Sequence, residues 1–132
     1  MLRRAQRFAA LLDRNEFAAA GEFLLPDCRY LFRGQEITGR EAILKSYRDN
    51  YESGKSILDE ILFSSEVIAV GAAKAKICYL DKIRKGSEWL EHRCEQDLDF
   101  TGELISLVTH VDLPGEAERL KEFYAKAGIV RE

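Results

Sequence analysis

The residue pattern of the chain changes at about Ile57, and this change limits the folds available to it. Before that point apolar residues recur every three to four positions, as they do on one face of a helix. From Ile57 to about Val111 β-branched and aromatic residues dominate, and Gly71, Gly86 and Gly102 separate the runs. Helices followed by strands predict an α+β fold, with hairpin turns at Gly86 and Gly102.

Length and composition predict one domain over residues 1–132, since the chain is long enough for one core and too short for two. With 46% apolar and 33% charged residues, its apolar runs are too short to cross a membrane. The net charge of −3 comes from interleaved signs without a basic stripe. Neither a membrane nor a nucleic acid is therefore expected as a partner.

The three cysteines, Cys28, Cys78 and Cys94, are far apart in sequence and have no CxxC spacing. This pattern favours free thiols in a reducing compartment, so the cytoplasm is the expected location. No metal site is expected, because the sequence shows no third or fourth ligand that would complete one.

The segment from Met1 to Asp13 is Arg-rich and amphipathic, which fits either a transit peptide or a first core helix. Its apolar spacing continues into a second helical pattern that Pro26 is expected to end, and this continuity favours the core helix. No secretory signal pattern is visible. At the other end, Pro114 is expected to open a last helix.

The segment between Pro26 and Ile43 predicts a strand, a turn and a helix start. Residues 28–32 alternate as a strand, and Gly34 marks a turn. Thr38 and Glu41 have the spacing of a capping box, in which each side chain bonds the other's backbone N–H. The helix that starts there is expected to stop at Ser53 and Gly54.

This order of elements resembles SnoaL-like members of the NTF2-like superfamily. The resemblance rests on the segments from Gly39 to Ile43, Asp99 to Ile105 and Val111 to Ala117, and it covers nearly the whole chain. It implies a cone in which a strongly curved, mainly antiparallel sheet wraps around N-terminal helices, with a C-terminal helix and an internal hydrophobic pocket. The superfamily includes ketosteroid isomerases, cyclases and dehydratases as well as members that only bind or assemble, so fold alone does not give function.

Strand alternation predicts which residues face this pocket, because neighbouring residues point to opposite sides of a sheet. On the long strand from Leu90 to Phe100 the even-numbered residues form the apolar set. Extending the same alternation to the neighbouring strands predicts a pocket lined by Tyr30, Phe32, Tyr79, His92, Cys94, Gln96 and Thr109.

Comparison with ketosteroid isomerases argues against their chemistry. Those enzymes resemble this chain through Asp27, the Gly39 helix start and Gly102, and their tyrosine, catalytic aspartate and protonated aspartate correspond here to Phe8, Phe32 and Cys94. Without the carboxylate base and the two oxyanion donors, steroid isomerisation by that mechanism has no proton acceptor. The chain is therefore not expected to be a ketosteroid isomerase.

His92 is the candidate acid or base, because it is the only group titrating near neutrality that alternation places in the pocket. The alternative is a hydrogen-bonded core histidine without a catalytic role. His92 together with Cys94 also suggests two other hypotheses, a zinc site and a Cys–His nucleophile. No third zinc ligand is evident, and a buried, inert Cys94 is the simpler interpretation.

The outer face of the sheet is predicted to carry Trp89, Val108 and His110 among paired charges. Such a face is either an ordinary solvated surface or the apolar centre of a homodimer interface. Many NTF2-like proteins pair through this face, so a homodimer is expected.

Two classes of function remain open from the sequence. One is a cofactor-free isomerase, cyclase or dehydratase that acts on a small apolar or carbonyl-bearing molecule, with His92 as acid or base. The other is a non-catalytic ligand-binding or assembly module. No cofactor is expected, because neither GxGxxG nor a P-loop is present.

Overall fold

A computed structural model describes residues 1–129 of the chain as four helices and six strands. The elements in chain order are α1 Leu2–Asp13, α2 Phe17–Gly21, β1 Leu24–Phe32, β2 Gln35–Thr38, α3 Arg40–Ile57, β3 Glu60–Gly71, β4 Lys74–Lys85, β5 Glu88–Thr101, β6 Leu104–Asp112 and α4 Glu116–Lys126. Three helices precede the long strands and one follows them. The predicted α+β class is confirmed.

The six strands form one sheet in the order β2-β1-β6-β5-β4-β3. Neighbours in the sheet are antiparallel except β1 and β6, which run parallel. The turns at Gly86 and Gly102 both have positive φ, at 60° and 63°, which glycine adopts without a Cβ clash. The predicted hairpins at these two glycines are therefore confirmed.

The core lies between the inner face of the sheet and the apolar stripe of α1. On α1, Ala5, Phe8 and Ala9 are almost completely buried, because residues at this spacing share one helix face. They pack in one cluster with sheet residues such as Ile77 and Leu98. Within residues 1–129 no helix combines the length and apolarity that a membrane crossing requires.

Three predicted boundaries in the first half are wrong. Pro26 does not end a helix: α2 stops at Gly21, and Pro26 lies inside β1, where the pairing with β6 is irregular and a missing N–H is tolerated. The capping box does not form, because Thr38 belongs to β2 and Gly39 occupies the N-cap without a side-chain hydrogen bond. Helix α3 also continues past Gly54 to Ile57.

The predicted alternation of β6 is also wrong beyond its first residues. Phe100 pairs with Ile105 but Asp99 pairs with Leu107, so Ser106 is an extra residue in β6. Such a β-bulge reverses the side of the sheet on which every later residue points.

Cross-strand partners lie on the same face of the sheet, and they show how β6 is turned. Val108 pairs with Leu98 and His110 pairs with Gln96, and all of these partners belong to the inner face. Thr109 pairs with Asp97 on the outer face. His110 and Val108 therefore point inward and Thr109 outward, the reverse of the prediction.

Candidate functional site

A cavity of about 430 Å³ opens between the inner face of the sheet and helices α1, α3 and α4. This volume is within the range of small-molecule sites, which is about 300–1,000 Å³. Its lining includes the polar and aromatic residues Asp13, Tyr30, Phe32, Arg33, Tyr47, Phe63, Tyr79, Asp81, His92, Cys94, Gln96 and His110.

Six of the seven residues predicted for the pocket line this cavity, and Thr109 does not. The bulge at Ser106 turns Thr109 outward and brings His110 into the wall instead. His110 and Val108, which were predicted for an outer dimer face, are thus excluded from that face. Val108 is completely buried and the His110 side chain is only 14% exposed.

Gln96 is the hub of the polar groups at the inner end of the cavity. Its side-chain oxygen accepts hydrogen bonds from the hydroxyls of Tyr47 at 2.7 Å and Tyr79 at 3.1 Å. Its amide nitrogen donates to the hydroxyl of Tyr30 at 3.1 Å and faces Nδ1 of His110 at 3.4 Å. Burial raises the pKa of the Tyr30 phenol to about 12 and those of Tyr47 and Tyr79 well above the usual value, so all three stay protonated.

A second series of contacts leads from this hub to the surface. Nε2 of His110 lies 3.1 Å from Oδ1 of Asp112. The guanidinium of Arg33 binds the same carboxylate with two hydrogen bonds, of 2.8 and 2.9 Å. The hydrogen bonds from Arg33 hold the pKa of Asp112 below its usual value, so the carboxylate stays ionised at neutral pH.

Asp81 is the most unusual group in the cavity, and the sequence analysis missed it. Burial raises the pKa of its carboxyl to about 7, and the nearby charge of Asp13 adds to this shift. Within residues 1–129 its side chain has no hydrogen-bond partner. The signal was present in the alternation itself, since Asp81 lies two residues after Tyr79, which was placed inward.

Asp13 is close enough to Asp81 for its charge to act on that carboxyl, and Asp13 also contacts Ser65. Asp13 ends helix α1, and its carboxylate accepts a 2.6 Å hydrogen bond from the Ser65 hydroxyl. Burial raises the pKa of Asp13, and the Ser65 hydrogen bond partly opposes this shift. The charge of Asp13 in turn raises the pKa of Asp81.

His92 lies directly across from Asp81 on the neighbouring strand. Burial lowers the pKa of its imidazole, which is therefore mainly neutral at pH 7. Among the described residues, none forms a hydrogen bond with the His92 ring. Asp81 and His92 thus present a carboxylic acid and a neutral imidazole on the same cavity wall.

The thiols do not provide a nucleophile. Burial raises the pKa of Cys94 to about 12 and that of Cys28 to about 11, so both remain protonated and unreactive. Within residues 1–129 no group of three or more His, Cys, Asp or Glu side chains could hold a metal ion. The chemistry available in the cavity is that of Asp81, His92, His110 and the tyrosine hydroxyls.

Comparison with known proteins identifies the fold. No family model and no curated protein sequence matches the chain. A proposed polyketide cyclase from Xanthomonas campestris pv. campestris is 15% identical and superposes with a TM-score of 0.68 over 94% of this chain and 93% of that one. A protein with a ketosteroid isomerase-like fold from Catenulispora acidiphila, solved with trimethylamine, is 14% identical with a TM-score of 0.66 over 96% and 93%.

An NTF2-like protein of unknown function from Cytophaga hutchinsonii is 12% identical, with a TM-score of 0.65 over 83% of this chain and 96% of that one. Identities this low establish a shared fold and nothing finer. The chain has the NTF2-like fold, and the predicted curved sheet with N-terminal helices and a C-terminal helix is confirmed.

Proposed function

We propose that this protein is a cofactor-free enzyme that transfers a proton within a small, largely apolar, carbonyl-bearing molecule held in the cavity. Isomerases, cyclases and dehydratases carry out reactions of this class. The observation that carries the proposal is the carboxyl of Asp81, which faces the cavity without a hydrogen-bond partner among residues 1–129 and has a pKa of about 7. A carboxyl in this state exchanges protons readily at neutral pH.

Asp81 and His92 have complementary roles in this proposal. The neutral imidazole of His92 removes a proton from the carbon beside the carbonyl group. The protonated form of Asp81 donates its proton to the atom that must receive one, such as a departing hydroxyl. Two groups whose surroundings shift their pKa values in opposite senses are the usual arrangement for paired acid and base catalysis.

Tyr30 recognises the carbonyl oxygen. Its hydroxyl accepts from Gln96, and its own proton has no acceptor among the described residues. A hydroxyl proton without a protein acceptor can instead bind the ligand's carbonyl oxygen and stabilise the negative charge that develops there. The aromatic rings of Phe32 and Phe63, which also line the cavity, favour an apolar ligand skeleton.

The neighbour from Xanthomonas supports the same class of chemistry. It is described as a proposed polyketide cyclase, and carbon–carbon ring closure next to a carbonyl requires loss of a proton from the adjacent carbon. The proposal does not extend to ketosteroid isomerisation. Phe8 is buried in the core, and the sequence offers no carboxylate at positions 32 or 94.

The proposal is tested with a β-hydroxy ketone, the aldol adduct of benzaldehyde and acetone. Loss of water from this compound breaks one C–H bond and one C–O bond, and it gives the conjugated ketone benzylideneacetone, which is followed by its ultraviolet absorbance. Asp81→Asn and His92→Gln should each lower kcat/KM roughly 100-fold or more, because each retains a polar side chain but removes a proton-transfer group.

The control is Asp49→Asn, which removes an exposed carboxylate that pairs with Lys45 on the outer side of α3. It should leave the rate unchanged. In the wild type the rate should fall as the pH rises through about 7, since Asp81 then ionises, and this limb should be missing in Asp81→Asn. A wild-type protein that binds the ketone without accelerating the reaction would instead support the non-catalytic binding module.

We further propose that the protein is a homodimer that pairs through the outer face of the sheet around Trp89, whose side chain is 53% exposed. Light scattering should give about twice the chain mass of 15.1 kDa. Trp89→Glu should return the mass to that of one chain, because it would bury an unpaired charge in the interface. Leu2→Glu, at an exposed position of α1, is the matched control and should remain a dimer. A wild-type monomer at micromolar concentration would contradict the proposed homodimer.

A further inference from the structure

We propose that Arg33, Asp112 and His110 form a positioning chain that fixes the orientation of Gln96 and thereby keeps the proton of Tyr30 free for a ligand oxygen. This inference rests on the proposed function and goes further, because it states which ligand atoms the site selects. A ligand must present a hydrogen-bond acceptor to Tyr30, as a ketone or an enolate does. Arg33, Asp112 and His110 do not themselves transfer a proton to the substrate.

The donor and acceptor roles along the positioning chain are set at its outer end, by Arg33 and Asp112. A guanidinium can only donate hydrogen bonds and an ionised carboxylate can only accept them. Arg33 donates twice to Asp112, at 2.8 and 2.9 Å, and this bidentate contact fixes the carboxylate in place. Asp112 is therefore a fixed acceptor for the third group in contact with it, which is Nε2 of His110 at 3.1 Å.

This acceptor fixes the tautomer of His110. Nε2 must carry a proton to donate to Asp112, and whenever the ring holds only that one proton Nδ1 has a lone pair and can only accept. Nδ1 faces the side-chain nitrogen of Gln96 at 3.4 Å. The Gln96 amide therefore turns its NH₂ group toward His110, since its oxygen would meet the lone pair of Nδ1 in the opposite orientation.

The orientation of Gln96 separates the three tyrosines into two kinds. The hydroxyls of Tyr47 and Tyr79 donate to the Gln96 oxygen, so their protons are already used. The hydroxyl of Tyr30 accepts from the Gln96 nitrogen, so its proton stays available. With the amide reversed, Tyr30 would donate to Gln96 and its own proton would no longer be available to the ligand.

The backbone at Arg33 agrees with a special role for this side chain. Arg33 has a φ of +45° in the turn between β1 and β2, a conformation that residues with a Cβ rarely adopt. Gly34 follows with a φ of +76°, so both central residues of the turn are left-handed. Asn or Asp is the usual residue at the first of these positions, and an arginine there brings a guanidinium to the rim of the cavity next to Asp112.

The test uses acetylnaphthalene, an aryl ketone of suitable size, and measures the carbonyl stretching band of the bound probe by isotope-edited infrared difference spectroscopy. A hydrogen bond to the oxygen lowers this frequency. The wild type should show the lowered band, and Tyr30→Phe should show the band of a carbonyl without a hydrogen bond. Asp112→Asn should give the Tyr30→Phe spectrum although Tyr30 is intact. In this variant Arg33 donates to the Asn oxygen, and the Asn NH₂ group donates to Nε2 of His110. The proton of His110 then lies on Nδ1, which reverses the Gln96 amide.

Gln96→Glu is a second variant with the same expectation, since a carboxylate accepts from all three tyrosines. Ethylnaphthalene, which lacks the oxygen, should bind equally to all variants and so verifies that the cavity is intact. Glu36→Gln is the matched control, because it removes a different ion pair, with Arg29, from the same β1–β2 hairpin. Its spectrum should match the wild type.

The outcomes separate the two proposals. A wild-type band in Asp112→Asn, with the shift still present between wild type and Tyr30→Phe, overturns the positioning chain and leaves carbonyl recognition by Tyr30 in place. If the wild type shows no lowered carbonyl band, carbonyl recognition by Tyr30 is overturned, and the positioning chain is overturned with it.

Discussion

Asp81→Asn should make the protein more stable than the wild type at pH 8, by roughly 4 kcal/mol. The reason is the pKa of the Asp81 carboxyl, which burial raises to about 7 from its usual value of 3.8. At pH 8 the folded wild type must hold a carboxylate in a cavity wall that gives it no hydrogen bond among the described residues. A neutral Asn removes that charge and leaves nearly the same shape.

The sign of the pH dependence follows from proton binding. The folded-state pKa lies above the unfolded one, so between about pH 4 and pH 7 the folded protein holds a proton that the unfolded chain has released. The stability that Asp81 contributes is therefore greatest below about pH 4 and declines as the pH rises to about 7. The difference between variant and wild type should accordingly be small near pH 4 and largest above pH 7.

Urea unfolding at several pH values measures this difference. Asp49→Asn is again the control, because its carboxylate is exposed and paired with Lys45 on the surface of α3, and such pairs contribute less than about 1 kcal/mol. A variant that is no more stable than the wild type at pH 8 would mean that water or another group already satisfies the Asp81 carboxylate. The basis for treating Asp81 as an acid would then be lost.

A destabilising carboxyl in a cavity wall is also an argument about function. The variant expected to be more stable is the same one expected to lose activity, and this trade-off is common where active sites hold groups in unfavourable surroundings. A purely structural residue at position 81 would not need an ionisable carboxyl, because Asn would fill the same space. The two measurements on Asp81→Asn, stability and rate, therefore bear on the same proposal from independent directions.

The sequence predicted the elements whose side chains follow one simple period. The alternation along β4 and β5 placed Tyr79, His92, Cys94 and Gln96 on the cavity side, because these long strands are paired regularly and carry no irregularity between those residues. The turn glycines located the hairpins for a similar reason, since a positive φ is a local requirement. The same alternation, continued two residues beyond Tyr79, also puts Asp81 on the cavity side.

Local motifs were less reliable where a tertiary contact competes with them. Thr38 and Glu41 have the spacing of a capping box, but Thr38 pairs with Arg29 in the sheet and the Gly39 N–H donates to the carbonyl of Cys28. Thr38 is therefore a strand residue and not the N-cap of α3 that the motif predicts. The contact of Tyr47 with Gln96 likewise joins residues far apart in sequence and has no local signal.

The clearest failure of the sequence interpretation is β6, where one bulge at Ser106 exchanged the two faces of the strand. No residue type marks this bulge, since a serine fits a regular strand equally well. In the structure its hydroxyl donates to the carbonyl of Asp99 at 3.1 Å, within the region of irregular pairing. The consequence is large, because it moves His110 into the cavity and Val108 into the core.

Val108→Lys should therefore unfold the protein or destabilise it by roughly 4 kcal/mol or more, because it places an ammonium group in the apolar core without a partner. Val108 is completely buried beside Leu98, its cross-strand partner. Regular alternation from Ile105 would instead put Val108 on the outer face, where a lysine is harmless. The substitution thus distinguishes the bulged strand from the regular one by the size of its effect.

The matched variant is Val111→Lys, three residues further along the same strand. With the bulge, Val111 lies on the outer face opposite Glu95, so a lysine there gains an oppositely charged neighbour and should change the stability by less than about 1 kcal/mol. Without the bulge the two results would be exchanged. Thermal melting of both variants decides between the two registers, and a folded Val108→Lys beside an unfolded Val111→Lys would also return His110 to the outer face and remove it from the cavity.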